Sequence, residues 1–342
     1  MILGVESSCD DTGLALWDGR KGQFLYEKTS SQIDLHADYG GVVPQLAARE
    51  HLRNFPLLLE DLMQHVDPSQ ITGIAVTCGP GLAGSLALGI AFAESLGLIL
   101  HREVVGIHHL RGHILSSFMD RDPRERRFQM DNFPHLSLLV SGGNTILSEL
   151  DADFNVRVLA ETMDDAAGEA MDKGAKLLGL KYPGGPEIER FAASGNEKRF
   201  RFPQAFTGDG EMAFSFSGLK TSLRYMLEKL NDEDRCGQFS DICASYQFAV
   251  VDILARKMEQ NLKRGNFKSV GLSGGVANNR QLRMRVQELG VKYGIHCYLP
   301  QPKYTGDNAS MIAFAAGVDG RHTLKEIDFY PRWSLEGRDR KG

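Results

Sequence analysis

The sequence predicts an α/β protein built as two duplicated lobes with a nucleotide cleft between them. Three observations lead there. Near the start of each half an apolar strand, a small polar turn and a second strand follow one another, at 1–6, 7–11 and 14–17 and again at 136–140, 141–144 and 145–150. Each half also carries a strand that runs into a glycine turn and then a helix, at 71–100 and at 269–290. Opposed glycine turns in a repeated pattern can cradle phosphate from both sides. Third, 342 residues with 42% hydrophobic content exceed the size at which one core stops growing. The boundaries expected are a first lobe over 1–128 with a C-terminal return over 322–342, and a second lobe over 129–321.

Taken in order, 24–28 adds a third strand to the first pair. Residues 40–66 open with Gly40-Gly41 and continue as helix, with Pro44 and Pro56 each expected to end or kink a run. The β-branched strand 71–78 turns through Gly79-Pro80-Gly81 into the apolar stretch 82–100, an arrangement that aims backbone N–H groups at an anion. That stretch is long enough to span a bilayer, with Glu94 as its only charge. Gly84, Gly89, Gly97 and its many alanines favour instead a helix buried between lobes. The charged segment 120–132, with Arg121, Arg124, Arg126 and Arg127, reads as a linker, either a solvated surface or an RNA contact. A helix is expected over 164–178, started by Asp164-Asp165, stopped by Tyr182-Pro183-Gly184-Gly185-Pro186 and followed by another helix from Glu187. Residues 247–264 place Val251, Leu254, Met258 and Leu262 on one stripe, a core helix. Asn278 or Asn279 opens a further helix, with Leu282, Val286 and Leu289 in its stripe and Gly290 as its stop. The tail 330–342 sets Arg332, Arg338, Arg340 and Lys341 beside Trp333, a composition suited to nucleic acid or to a frayed end.

A net charge of −5 and a pI near 6.1 argue against coating nucleic acid by bulk charge, so any nucleic-acid partner must be gripped locally. The five cysteines form no CxxC pair, and the N-terminal MILGVESS has no signal-like pattern. Both suit a cytoplasmic protein with no membrane role.

The candidate chemistry centres on GIHHLRGHI, 106–114, where His109 and His113 stand four apart. On a helix they share a face, a bite suited to one divalent metal, although with 10 histidines in the chain the spacing alone is a weak signal. Asp307, in the turn before an alanine-rich helix over 309–316, is a possible third ligand and equally a possible N-cap. Two neutral imidazoles and a carboxylate suit Zn²⁺ or Fe²⁺ and leave positions open for substrate. For the nucleotide, the candidates are the two glycine turns of the second half, with Asp172 and Glu189 on nearby helices as ribose ligands. Asp10 and Asp11, in the first turn, are candidate proton acceptors or simply turn formers.

The blocks ESSCDDT, HADYGGVVPQLAAREH, GPGLAGSL, HHLRGH, LLVSGGNT, DDAAGEAMDK, YPGGP, GGVANNRQLR and TGDNASMIA occur in an order that resembles the TsaD (YgjD, Gcp) family over nearly the whole chain. The resemblance implies an actin-like, sugar-kinase-like ATPase fold. It also implies transfer of a threonylcarbamoyl group from threonylcarbamoyl-AMP to N6 of the adenosine just 3′ of the anticodon, in tRNAs reading codons that begin with A. Carried over by motif, it implies metal ligation by His109, His113 and Asp307, with Fe²⁺ as the ion and Zn²⁺ as the alternative. Leu139, Val140, Ser141, Gly142, Gly143, Asp172, Gly185, Glu189 and Asn279 would line the nucleotide site. A TsaB-like paralogue and a TsaE-like ATPase are the implied protein partners. Arg111 stands where many members have Glu and Asn144 where many have His, which bears on local substrate contacts; Glu189 stands where Asp is also common. Two other readings compete: a non-catalytic binding subunit, and a metalloprotease-like hydrolase. The zinc-protease helix needs Glu directly after the first His, and Leu110 occupies that place.

Overall fold

Each half of the chain is carried by one mixed sheet, and the two sheets have the same wiring. The computed structural model describes residues 1–121, 124–206, 208 and 212–336. The first sheet contains β1 (Ile2–Glu6), β2 (Asp11–Asp18), β3 (Gln23–Ser31), β4 (Gly73–Gly79) and β5 (Val104–His108), in the order β3-β2-β1-β4-β5. The second contains β6 (His135–Val140), β7 (Thr145–Leu150), β8 (Val156–Thr162), β9 (Ala213–Phe214), β10 (Ser269–Ser273) and β11 (His296–Tyr298), in the order β11-β10-β6-β7-β8-β9. β1–β2–β3 and β6–β7–β8 are antiparallel meanders, while β4 and β10 join their sheets in parallel. The duplication expected from the repeated motifs is therefore present over five strands of each sheet, with the two-residue β9 as an addition to the second. The central strands β6 and β10 are buried along their whole length, with the polar His135, Ser137, Ser269 and Ser273 enclosed alongside the apolar residues.

The chain divides into one unit of Met1–Gln129 with the return from Pro300 onward, and a second of Met130–Leu299. The return comes earlier than the 322 expected from sequence. Its cause is the helix Ala309–Val318, whose mean composition is apolar and whose contacts are with β1, β2 and the helix His109–Ser116. Phe314 meets the Trp17 ring edge-on at 5.5 Å, and Ser310 Oγ donates to Glu27 Oε1 at 2.8 Å. A helix with no polar face has to be covered, and the first sheet covers it. The return continues on the same unit: Leu324 bridges to Gly106, the Tyr330 amide donates to the Cys78 carbonyl at 2.7 Å, and Trp333 packs on His108. The tail, whose composition suits either nucleic acid or a frayed end, is thus packed on the first unit as far as Trp333, while Arg338, Arg340 and Lys341 lie outside the described residues.

Several local expectations are corrected. Pro44 starts and Pro56 lies within a single helix, Pro44–His65. Proline there removes one amide on a stretch where Leu52 and Leu57 face outward, so no acceptor is stranded in the core. The helix Ala83–Leu100 packs within the first unit against β4 and Pro44–His65, and its last turn leaves Leu98 and Ile99 exposed. It is the one helix among the described residues long and apolar enough to cross a membrane. Asp164 does not begin the next helix, which runs Ala167–Leu177; its carboxylate instead accepts from the Phe216 and Ser217 amides at 2.8 and 3.3 Å. The core helix is longer than its stripe, Phe239–Arg264. Asn279 does cap Arg280–Tyr293, but that helix runs past Gly290 to end at Gly294, in the left-handed region at φ 63°. In the charged linker, residues 122 and 123 lie outside the described residues, and Arg126–Asn132 is helical.

The two parallel crossovers depend on tight strand ends. Gly274, at φ 85°, follows β10, and a Cβ there would stand 2.3 Å from the Val140 carbonyl oxygen. Gly274→Ala is expected to destabilise the second unit by about 2 kcal/mol or more, read as a shift in its denaturant midpoint.

Candidate metal centre and nucleotide turns

The histidine stretch forms where β5 ends. His108 turns the chain, its Nδ1 accepting from the Leu110 amide at 3.1 Å, and the helix His109–Ser116 starts at once. Spacing of four then sets both imidazoles on one face, with ring centroids 4.7 Å apart and planes at 89°. Gly112 lets this helix lie close to Ala309–Val318: a Cβ there would be 3.1 Å from side-chain atoms of both Met311 and Ile312. That approach delivers Asp307. The expected competition between capping and ligation is resolved by its neighbour, since Asn308 Oδ1 accepts from the Met311 amide at 2.9 Å and caps the helix. Asp307 is left to reach the imidazoles, with Oδ1 3.0 Å from His113 Nε2 and 3.4 Å from His109 Nε2.

The three donors lie within 4.8 Å of one another, all in the first unit. Donors bound about 2.0–2.2 Å from a common ion stand about 2.8–3.6 Å apart in tetrahedral or octahedral geometry. Both measured separations to Asp307 fall in that range, so the residues present fit a divalent metal. A residue that the sequence reading missed supports them. Glu6, fully buried at the end of β1, sets Oε2 3.1 Å from His109 Nδ1. It is itself fixed by donation from Thr77 Oγ1 at 2.5 Å and from the Ser8 amide at 2.6 Å. With Nδ1–H committed to Glu6, Nε2 is the nitrogen that faces Asp307 and would ligate a metal once its proton is lost, the arrangement by which carboxylates orient metal-binding histidines.

The electrostatics follow from this packing. Burial works against an imidazolium at His109, but the flanking Glu6 and Asp307 carboxylates outweigh it and raise the group to about 10. Against their own burial, Glu6 and Asp307 are both held below the ordinary carboxylate range by His109. Asp11 is the opposite case: burial, and then the Asp307 charge, push its carboxyl up to about 7. Its Oδ1 is buried without a hydrogen-bond partner among the described residues. Burial also raises Asp10, which is less enclosed. Arg111 is not among the donors; it forms a buried ion pair with Asp319, which also holds His322 Nδ1 at 2.5 Å.

In the second unit the glycine turns converge on one another. The Ser141 carbonyl accepts from the Gly168 amide at 3.2 Å, and the Val140 carbonyl abuts Gly274. Ser141 and Asn144 close the first turn, with the Ser141 amide 2.8 Å from the Asn144 carbonyl. Added Cβ atoms at Gly142, Gly143, Gly185 and Gly275 would meet nothing within 4 Å, and none of the four has a left-handed φ. Glycine at these turns is needed neither by the backbone nor by packing, which leaves open space as its use. Asp172 Oδ1 accepts from the Gly184 amide at 2.7 Å and so anchors the YPGGP turn. Glu189 Oε1 accepts from the Arg280 amide at 2.6 Å, and Asn279 both caps that helix and donates to Gln247 at 2.9 Å. Asp172, Gly185, Glu189 and Asn279 are thus linked through Gly184 and Arg280. Leu139 and Val140 are fully buried and paired within the sheet, so they shape the strand end beneath the turn and offer no exposed surface of their own.

Two outcomes are expected at the metal centre. Glu6→Gln keeps the shape but removes the charge behind His109, and should weaken divalent-metal binding about 10–100-fold in competition with a chelator. The raised His109 also makes binding pH-dependent. Its proton stabilises the metal-free fold fully below its ordinary 6.5, and that contribution is lost as pH rises through about 10. At pH 7.5 an incoming ion should therefore displace about one proton, measured by calorimetry in buffers of differing ionisation enthalpy.

Known proteins match this chain over most of its length. The sequence pattern described as "TsaD: tRNA N6-adenosine threonylcarbamoyltransferase" matches residues 23–314. The tRNA N6-adenosine threonylcarbamoyltransferase of Aromatoleum aromaticum is 43% identical, covering 98% of this chain and 97% of its own. That of Paracidovorax citrulli is 42% identical over 98% of each. Among solved structures, component A of the Acidaminococcus fermentans (R)-2-hydroxyglutaryl-CoA dehydratase superposes with a TM-score of 0.54 at 15% identity, covering 92% of this chain and 96% of that one. HypF of T. kodakarensis gives 0.57 at 16% identity, covering 94% of this chain and 47% of its own. These two share only the fold, the actin-like ATPase type. The chain belongs to the TsaD family of tRNA N6-adenosine threonylcarbamoyltransferases, and its reaction is the one that name states, transfer of a threonylcarbamoyl group to N6 of a tRNA adenosine.

Proposed function

We propose that the donor is threonylcarbamoyl-AMP and the acceptor the adenosine just 3′ of the anticodon, in tRNAs reading codons that begin with A. The observation that carries this reading is the convergence of His109, His113 and Asp307 with Glu6 behind them. A divalent ion held by those three donors, Fe²⁺ in first place and Zn²⁺ as the alternative, would supply Lewis-acid polarisation of the donor's oxygens. The open glycines Gly142, Gly143 and Gly185 support a nucleotide site, with Ser141, Asp172, Glu189 and Asn279 around it and the buried Leu139 and Val140 beneath the turn.

The donor is a mixed anhydride, so its carbonyl is already activated and AMP is a stable leaving group. The adenine amine is the difficult partner, because its lone pair is delocalised into the ring. In the transfer, the bond from N6 to the carbonyl carbon forms and the bond from that carbon to the phosphate oxygen breaks. The amine must then lose a proton. Asp11 is the group suited to receive it: a carboxyl raised to about 7 is ionised in about half the molecules at neutral pH and basic enough to hold a proton. Asp10, raised less, would assist in the same turn.

A TsaB-like paralogue and a TsaE-like ATPase are the protein partners this reading takes from the family resemblance. The exposed Leu98 and Ile99 are a surface that a protein partner would cover. A tRNA substrate and five free cysteines support a cytoplasmic location for this work.

Purified chain with partner proteins, threonylcarbamoyl-AMP and unmodified tRNA should produce modified tRNA, detected by mass spectrometry of nucleosides. His109→Ala and His113→Ala should each abolish transfer with the fold retained. His109→Ala should melt lower, because it leaves the buried Glu6 without its cationic partner, and His113→Ala should melt nearer wild type. Full activity in both would remove the metal from the reaction. Asp11→Asn should lower the rate by about 10² or more with metal content unchanged, and the wild-type rate should rise as pH passes upward through about 7.

A further inference from the structure

The acidic balance of the chain requires that RNA be held by a local feature, and the second unit contains one. The helix Ser217–Lys229 is fixed by two constraints: Asp164 receives the amides and hydroxyls at its start, and Leu219 and Leu223 are buried beneath it. Its other face is therefore outward, and carries Thr221, Tyr225 and Lys229. Beside it runs the segment 200–202, where the Phe200 amide donates to Ser245 Oγ at 3.1 Å and the Phe202 ring packs on Tyr246 at 5.4 Å. With the aromatic residues on both sides turned inward, Arg201 is turned out. The two elements line a groove of about 730 Å³ whose walls include Arg201, Thr221, Ser222, Tyr225 and Lys229.

The chemistry of this groove is specific. Arg201 and Lys229 have no acidic partner among the described residues. Tyr225 is 53% exposed, an unusual position for a large aromatic ring, with the Arg224 guanidinium 5.2 Å from its centroid. Two free cations with hydroxyl donors between them fit phosphate oxygens, and an exposed tyrosine fits an unstacked base. We propose that this groove is a contact for the tRNA substrate, with Arg201 and Lys229 on the backbone phosphates and Tyr225 stacking on a base outside the duplex. The proposal rests on the transferase reading for the identity of the RNA, but its test measures binding directly.

Unmodified tRNA is titrated into the full chain assembled with its partner proteins, at several salt concentrations. Arg201→Ala/Lys229→Ala should weaken binding about tenfold or more and reduce the slope of log affinity against log salt by about 1.4–1.8. Tyr225→Ala should weaken it about tenfold with the salt slope unchanged. In the transfer assay these losses should appear in KM for tRNA, with kcat retained at saturation. Arg201→Lys/Lys229→Arg, which keeps both charges, should restore the wild-type slope. Wild-type affinity and slope in the double alanine variant would overturn the proposal, as would a loss confined to association with the partner proteins. Failure of the wild-type protein to modify tRNA would count against the transferase reading instead, leaving the binding comparison to decide the groove.

Discussion

The candidate metal centre depends on a carboxylate that its own helix does not use. A residue next to a helix start is ordinarily drawn into capping, because the first amides of the helix need acceptors. Here Asn308 meets that need, and the carboxylate one position earlier is left beside two imidazoles. Glu6 completes a line of alternating charge through His109, so that a proton is held between one buried and one half-buried carboxylate. The packing that makes this possible is the close approach of His109–Ser116 to Ala309–Val318 over Gly112, an arrangement of two short helices on the first sheet.

Much of this was legible in the sequence, and the parts that were not share a cause. The strands, glycine turns and paired histidines are written in local patterns, because periodicity and spacing reach only a few residues. The duplication was visible for the same reason, as two copies of a local pattern. Glu6 was not visible: a carboxylate at the end of an apolar run looks like any strand terminus, and only the fold shows that Thr77 and His109 surround it. Pro56 misled in the other direction, since proline's cost to a helix depends on whether the vacated acceptor faces the core. The earlier return of the chain at Pro300 was hidden because an apolar helix announces that it will be buried, without saying against which sheet.

In the second unit, the residues that resemblance assigns to the nucleotide are already engaged with the protein. Asp172 holds a glycine amide, Glu189 the start of a helix, and Asn279 a cap and a glutamine. These bonds fix the turns at the strand ends before any ligand arrives, which is how a scaffold lowers the ordering cost of binding. The absent side chains at Gly142, Gly143 and Gly185 then provide the room.

The C-terminal return carries a consequence of its own. Between Leu324 and Trp333 it adds a bridge to β5 and lays an indole on His108, the residue that turns the chain into the histidine helix. None of these residues donates to the metal site, yet they clamp the strand from which it hangs. A protease that nicked the chain beyond Val318 would spare all three candidate donors and still slacken their spacing, so the far end of the polypeptide guards a geometry to which it contributes no atom.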